Sequence, residues 1–227
     1  RANFQRAHPE RASLQGAHLE GADLEGADLQ GANLQGAHLE EANLQRAHLE
    51  RAILNEASLT NAHLEGAHLE GAHLESADLE GAHLERAILS GAILWGTNLR
   101  EADFYQANLR SATLRASLVK ANLSETNLGE ADLSEADLSG ANLRNANLSN
   151  VGLNKKTKLD GTKFEGAFIE YVFSKSGNNR DEIKKELLRR NDSLIQRLAK
   201  LGYRIEEQEA HDDDQIRFVF TKKSDDT

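Results

Sequence analysis

Alanine recurs every five residues from Ala2 to Ala112, with Thr97 the one exception, and a leucine almost always follows two positions later. With the leucine position called i, position i−2 is nearly always Ala, i−1 is Asn, Asp, Ser or His, and i+1 and i+2 are mostly Glu, Gln, Arg, Ser or Gly. Two apolar positions in five match neither the 3.6-residue stripe of an amphipathic helix nor the strict alternation of a strand. The pattern predicts a short extended segment and a bend once per repeat, with Leu filling an interior and Ala at a close turn of backbone. One such unit cannot bury its leucine alone, so stability must come from stacking coil on coil. Burying each leucine contributes ~1.5–3 kcal/mol, which offsets ordering entropy despite a mean hydropathy of −0.60. Glycine at i+2, as at Gly16, Gly21, Gly26, Gly31 and Gly36, fits a corner with unusual backbone angles.

The run A-[NDHS]-L-x-x, as in Gly21-Ala-Asp-Leu-Glu25 and Gly66-Ala-His-Leu-Glu70, resembles the pentapeptide-repeat family over residues 2 to about 173. The resemblance implies an all-β fold, a right-handed quadrilateral β-helix (β-solenoid) with four repeats per twenty-residue coil. About eight to nine coils would follow, spanning about 40 Å at a strand spacing of ~4.8 Å. Here the centre is Leu, with Phe at Phe4, Phe104 and Phe164.

The phase slips twice. Ala112 is followed by the next i−2 residue at Ala116, a step of four, and Val151 by Thr157, a step of six. The two errors cancel, and Asn150–Lys158 should form a bulged corner. Pro9 occupies a central position without the N–H a ladder needs, so it belongs at an edge or in a distorted coil. The chain begins mid-repeat at Arg1 and contains no methionine, from which a natural N-terminus further upstream is expected.

Beyond residues 1–173, residues 174–179 read as a linker and 180–227 as a small α-β-β tail of helix plus β-hairpin. Ile183, Leu187, Leu194, Leu198 and Leu201 take helical spacing, Ser193 with Gln196 fits a capping box, and Gly202 is a helix stop. Strands are predicted at 203–207 and 215–221, joined by an acidic turn at His211–Asp214, with Ile216, Phe218 and Phe220 on one face. The tail is read as a cap on the last coil's open edge; the alternative use is a homodimer contact.

Charge is uneven. Of the net −10, residues 1–115 carry −8 (nine Lys/Arg against seventeen Asp/Glu), and the tail is neutral. An acidic rod argues against direct nucleic-acid binding. Zero cysteines exclude disulfides and thiol chemistry, and fit a cytoplasmic setting. No membrane segment is visible. Asp, His and Ser all fall at periodic outward positions with no pocket to exclude water, so no catalytic residue, cofactor site or enzymatic activity is expected. The Gly21–Gly26 spacing lacks the lysine of a phosphate loop.

Three features invite function. Eight histidines occupy i−1, and in twenty-residue columns His18 stacks on His38, His48 on His68, and His63 on His83. Each pair offers two donors with no evident third, so no metal site is assigned; protonation below roughly pH 6.5 would instead remove most of the negative charge. Glutamates at i+1 form acidic ladders. Some members of the family resembled mimic duplex DNA and act on type II topoisomerases, but they favour Phe at the centre. Finally, Ile53, Ile88 and Ile93 replace polar residues at i−1, Trp95 and Tyr105 take i+1, and Arg115 is aligned to stack on Trp95. Ile88, Ile93, Trp95, Arg100, Tyr105 and Arg115 are the candidate protein-binding residues. The reading is a non-enzymatic scaffold with an unidentified protein partner; its rivals are a topoisomerase regulator and a metal- or pH-responsive histidine surface.

Overall fold

The computed structural model describes residues 3–172, 185, 187–208 and 215–222. The expected linker at 174–179, Ile183 and the acidic turn at His211–Asp214 lie outside the described residues, as does the Ile216 side chain.

The repeat builds a ladder of parallel bridges joining each i−1 residue to the one twenty positions later, as in Ser13 to Asn33 to Ile53 to His73 to Ile93. Four such columns run along the molecule, one for each repeat in the twenty-residue coil. Every N–H of a repeat finds an acceptor. Within Asn33–Ala37, Asn33 N–H donates back to Ala12 O (2.9 Å), Leu34 N–H forward to Ile53 O (2.7 Å) and Gly36 N–H to Asn55 O (2.9 Å). Ala37 N–H closes the turn on Leu34 O (3.0 Å), and Gln35 N–H is taken by the Asn33 side chain (3.1 Å). This is the physical reason for a short amide or carboxylate at i−1.

The i+2 residue is left-handed at nearly every corner, glycine or not. Gly36 has φ +63°, but Arg51 (+57°), Glu56 (+60°) and Glu125 (+59°) adopt the same backbone. A left-handed conformation costs a residue with a Cβ roughly 1–2 kcal/mol, so the ladder imposes the bend whether or not the sequence favours it. Leu and Ala side chains from Leu19 to Ala167 line one continuous core, largely sealed from solvent. Where Thr replaces Ala at i−2, its buried hydroxyl donates to a carbonyl of the preceding coil: Thr97 to Leu74, Thr126 to Phe104, Thr157 to Leu133 and Thr162 to Leu138.

Both slips are absorbed as the arithmetic predicts. The bridge offset is twenty up to Ile93–Thr113, nineteen from Asn98–Ser117 to Thr113–Asp132, twenty again, then twenty-one from Asp137–Lys158. No bridge joins His8 to Asp28, the place where Pro9 has no proton to give, although Asp28 N–H still reaches Ala7 O.

Strand β1 (Phe168–Val172) is shared between solenoid and tail. Phe168 is bridged to Asn147 in parallel and paired with Val219 in antiparallel. Strands β2 (Tyr203–Gln208) and β3 (Gln215–Lys222) complete a sheet of order β1-β3-β2. Phe220 exchanges backbone bonds with Gly166 and Ala167, so β3 covers the edge beyond the last coil. Tyr203 packs edge-on against Phe164 (centroids 5.7 Å apart), and its hydroxyl accepts the Phe164 N–H.

Helix α1 (Asp192–Lys200) buries Leu194 and Leu198, and residues 187–190 before it are helical too. Its cap corrects the expectation. Asn191, not Ser193, is the N-cap, no side chain caps the helix, and Gln196 bonds Asp192 instead. The reason is tertiary: buried Asn191 donates its amide to Leu187 O and accepts the Asn150 N–H, tying the helix to the solenoid. Gly202 does end the helix, at φ +85°. The bulged corner has a use, because Arg197 donates to the carbonyls of both Asn154 and Thr157. No helix among the described residues is long and apolar enough to cross a membrane.

Candidate functional site

The columns sort the candidate binding residues by side. Ile93 lies in the column of Ile53 and His73, with Trp95 two residues on. Ile88 belongs to the preceding side, bridged to His68 and Asn108. Arg100 follows Asn98 and Tyr105 follows Asp103, which puts them one and two sides further round. The structure therefore gathers Ile93, Trp95 and Arg115 on one side, puts Ile88 and Arg100 on the two adjoining sides, and puts Tyr105 on the opposite one. Trp95 is 57% exposed and Ile53 38%, whereas Ile88, Ile93, Arg100 and Tyr105 are half-buried.

The expected stacking of Arg115 on Trp95 does not form. Arg115 turns to Asp132, donating from Nε at 2.9 Å and pairing through Nη2 at 2.8 Å. A carboxylate within direct reach outcompetes an exposed ring face, worth only ~0.5–1 kcal/mol. Trp95 is left with an open indole.

The second surface is the histidine ladder. His18 and His38 stack with centroids 4.7 Å apart and planes 3° off parallel; His48–His68 (5.0 Å) and His63–His83 (4.9 Å) do likewise. Each also meets a glutamate two residues on: His18 Nδ1 lies 2.9 Å from Glu20 Oε1, and His48 Nδ1 3.2 Å from Glu50 Oε1. The sequence holds the signal that reading the two ladders separately missed, since all eight solenoid histidines are followed by Glu at i+1. Asn or Asp at i−1 accepts the i+1 N–H; in the His18 and His38 repeats the ring nitrogen faces the glutamate, whose own carboxylate takes that N–H.

Electrostatics follow from this packing. The bond to His18, then its own N–H, holds the Glu20 carboxyl below its ordinary 4.5. At Glu40 burial pushes upward, but bonds from Ser58, its own N–H and His38 outweigh it and the result is also a lowering. One oxygen of Glu40, Glu50, Glu65, Glu70, Glu75 and Glu85 is enclosed with no hydrogen-bond partner. The acidic ladder is thus folded against the wall rather than spread as free surface charge.

A cleft of about 760 Å³ opens between the bulged corner and α1, lined by Lys155, Lys156, Lys158, Arg197 and Lys200 among others. Its cations are mostly engaged: Lys156 with Glu135, Lys158 with Asp137, and Arg197 with backbone carbonyls. Nothing there resembles a catalytic arrangement.

The pentapeptide-repeat family model matches in eight copies across residues 1–154. The chain belongs to the pentapeptide-repeat family. Members of this family fold as right-handed β-helices. Among solved structures, the chain is similar to HetL, a pentapeptide-repeat protein involved in heterocyst differentiation regulation from the cyanobacterium Nostoc sp. strain PCC 7120. The two are 38% identical over 73% of this chain and 75% of HetL, with a TM-score of 0.71. It also resembles QnrB1, a plasmid-mediated fluoroquinolone resistance protein, at 21% identity over 71% of this chain and 86% of that one, TM-score 0.36. A thylakoid-lumen pentapeptide-repeat protein of Arabidopsis thaliana is 27% identical over 53% and 71%, TM-score 0.22. A search of curated proteins returned no match.

Proposed function

We propose that this chain is a non-enzymatic scaffold that holds a protein partner against the side carrying Ile53, His73, Ile93 and Trp95, with residues 1–173 as the binding rod and 180–227 as its cap. The carrying observation is Trp95, 57% exposed beside Ile93 on the side that also carries exposed Ile53, in a wall whose outward positions are otherwise mostly polar. An open indole flanked by aliphatic side chains is the composition of an interface anchor, and half-buried Ile88 and Arg100 border it from the two adjoining sides, while Tyr105 lies on the opposite side. HetL's part in regulation supports a binding role rather than a chemical one.

The test is proximity cross-linking and affinity capture with the full chain against a Trp95→Ser/Ile93→Ser variant. Neither residue belongs to the buried core, so melting should stay within ~0.5 kcal/mol of the parent while the captured partner is lost. Capture unchanged by the double substitution refutes the site. The acidic charge of residues 1–115, −8, favours a second reading as a DNA-like regulator of a type II topoisomerase. Its paired, half-enclosed glutamates weigh against it. Inhibition of gyrase supercoiling near equimolar protein would establish that reading over the first.

A further inference from the structure

We propose that the stacked histidines form two binding sites for a divalent transition-metal ion of the Zn²⁺ class, one at His18, Glu20 and His38 and one at His48, Glu50 and His68. In each set one donor atom from every residue lies within 4.8 Å of the other two. The twenty-residue coil places two imidazoles face to face, and the His-x-Glu spacing adds the third donor. Two imidazoles and a carboxylate with a fourth position open to water are a donor set that Zn²⁺ accepts.

Tetrahedral bonds of ~2.0–2.1 Å set donors roughly 3.3 Å apart; the ring-to-carboxylate spacings are already within that, and the remaining donor, on the second imidazole, lies within 4.8 Å of both. Rotation about the side-chain torsions of half-exposed rings closes that gap without moving the backbone. The sets also contain what a metal site needs and a plain surface lacks. The carboxylate is already drawn to the ring nitrogen (2.9 Å at Glu20, 3.2 Å at Glu50), and Glu50 keeps its second oxygen enclosed and unpartnered. A third set, His8, Glu10 and Asp28, has one imidazole and two carboxylates, a harder donor set that binds such an ion less well. His73 stands between Ile53 and Ile93, with no second imidazole in its column beside it.

The bound ion would link consecutive coils on two different sides of the rod, at the end where the ladder begins. Ligation requires neutral imidazoles, so protons compete with it.

Calorimetric titration of the full chain with Zn²⁺ alone tests this. At pH 7.5 two ions should bind per chain with micromolar or tighter affinity, and the melting temperature should rise on binding. His38→Gln and His68→Gln should each abolish one ion, and Glu20→Gln or Glu50→Gln should weaken its site roughly tenfold or more; His73→Gln should change nothing. Co²⁺ should give intense visible absorption of low coordination number that the two histidine variants lose in halves. No saturable uptake, or a stoichiometry unmoved by His38→Gln and His68→Gln, overturns the proposal. All the variants alter outward side chains, and circular dichroism separates a lost site from a lost fold.

Discussion

The stretch before Ala112 and the stretch from Ala116 to Phe168 share one backbone but solve the i−1 position by different chemistry. The first mixes imidazole–carboxylate pairs, as in His18–Glu20 and His63–Glu65, with Asn and Asp. The second has Asn and Asp with serine hydroxyls beside them and no imidazole. Asn142 donates to Asn122 and Asn147 to Asn127 in the coil before, both at 3.2 Å, while Ser124 and Ser149 donate to Asn122 and Asn147 at 2.6 Å. Both arrangements satisfy the same N–H groups of the same ladder. Only the first carries imidazoles there, because no histidine lies between Ala116 and Phe168. In this fold the core decides the shape, and the residue beside the leucine decides what the surface responds to.

The largest expected effect tests what the two stretches have in common. Leu64→Ala and Leu138→Ala, each in a fully enclosed position, should destabilise by about 2–5 kcal/mol and by similar amounts, read from urea unfolding. Clearly unequal losses would mean the core is not one continuous structure. Next comes the i−1 contrast. Asn142→Ala removes the acceptor of the Arg144 N–H and the ladder bond to Asn122, and should cost about 1–3 kcal/mol. His63→Ala should cost less, because Glu65 and solvent remain. Equal costs would erase the distinction.

In acid both stretches weaken. Glu20, Glu40, Glu130, Asp132 and Asp137 are all held below their ordinary values. Their stabilisation is therefore complete above the unfolded values of 4.5 and 3.8 and is lost as pH falls through the lower folded values. Melting followed by circular dichroism from pH 6 to 2 should show that decline; a flat profile would contradict it. The smallest effect is at the corners, where Arg86→Gly and Glu125→Gly relieve a left-handed φ of 60° and 59°. Each should gain at most about 1 kcal/mol, and a loss at either corner would show that its side chain outweighs the strain.

The ladder, the leucine core and both phase slips could be read from spacing, because a period of five leaves few ways to bury two apolar positions. The tail's strands at 203–207 and 215–221 were legible to within a residue of the observed β2 and β3. What spacing could not reach was rotamer choice. Column arithmetic set Arg115 beside Trp95, but Asp132 in the next coil offered a stronger partner. Asn191 was invisible as a cap because its partners are forty-one residues away at Asn150 and one turn back at Leu187. The third donor at the stacked histidines was in plain view as His-x-Glu, yet only the folded wall shows that it bridges two coils.

The tail grips the rod at Asn150, Asn154, Thr157 and Phe164, all at fixed positions around the coil. Gaining or losing a single five-residue unit upstream would turn every earlier column by one side relative to that grip. Ile53 and Trp95 would then face a different direction from the cap. Only a change of four whole repeats keeps the outward residues in line. The repeat that is written in fives can therefore gain or lose units without scrambling its surfaces only in whole coils, whereas the slips at Ala116 and Thr157 alter the length of one repeat, leave four repeats in each coil and so leave the columns in line.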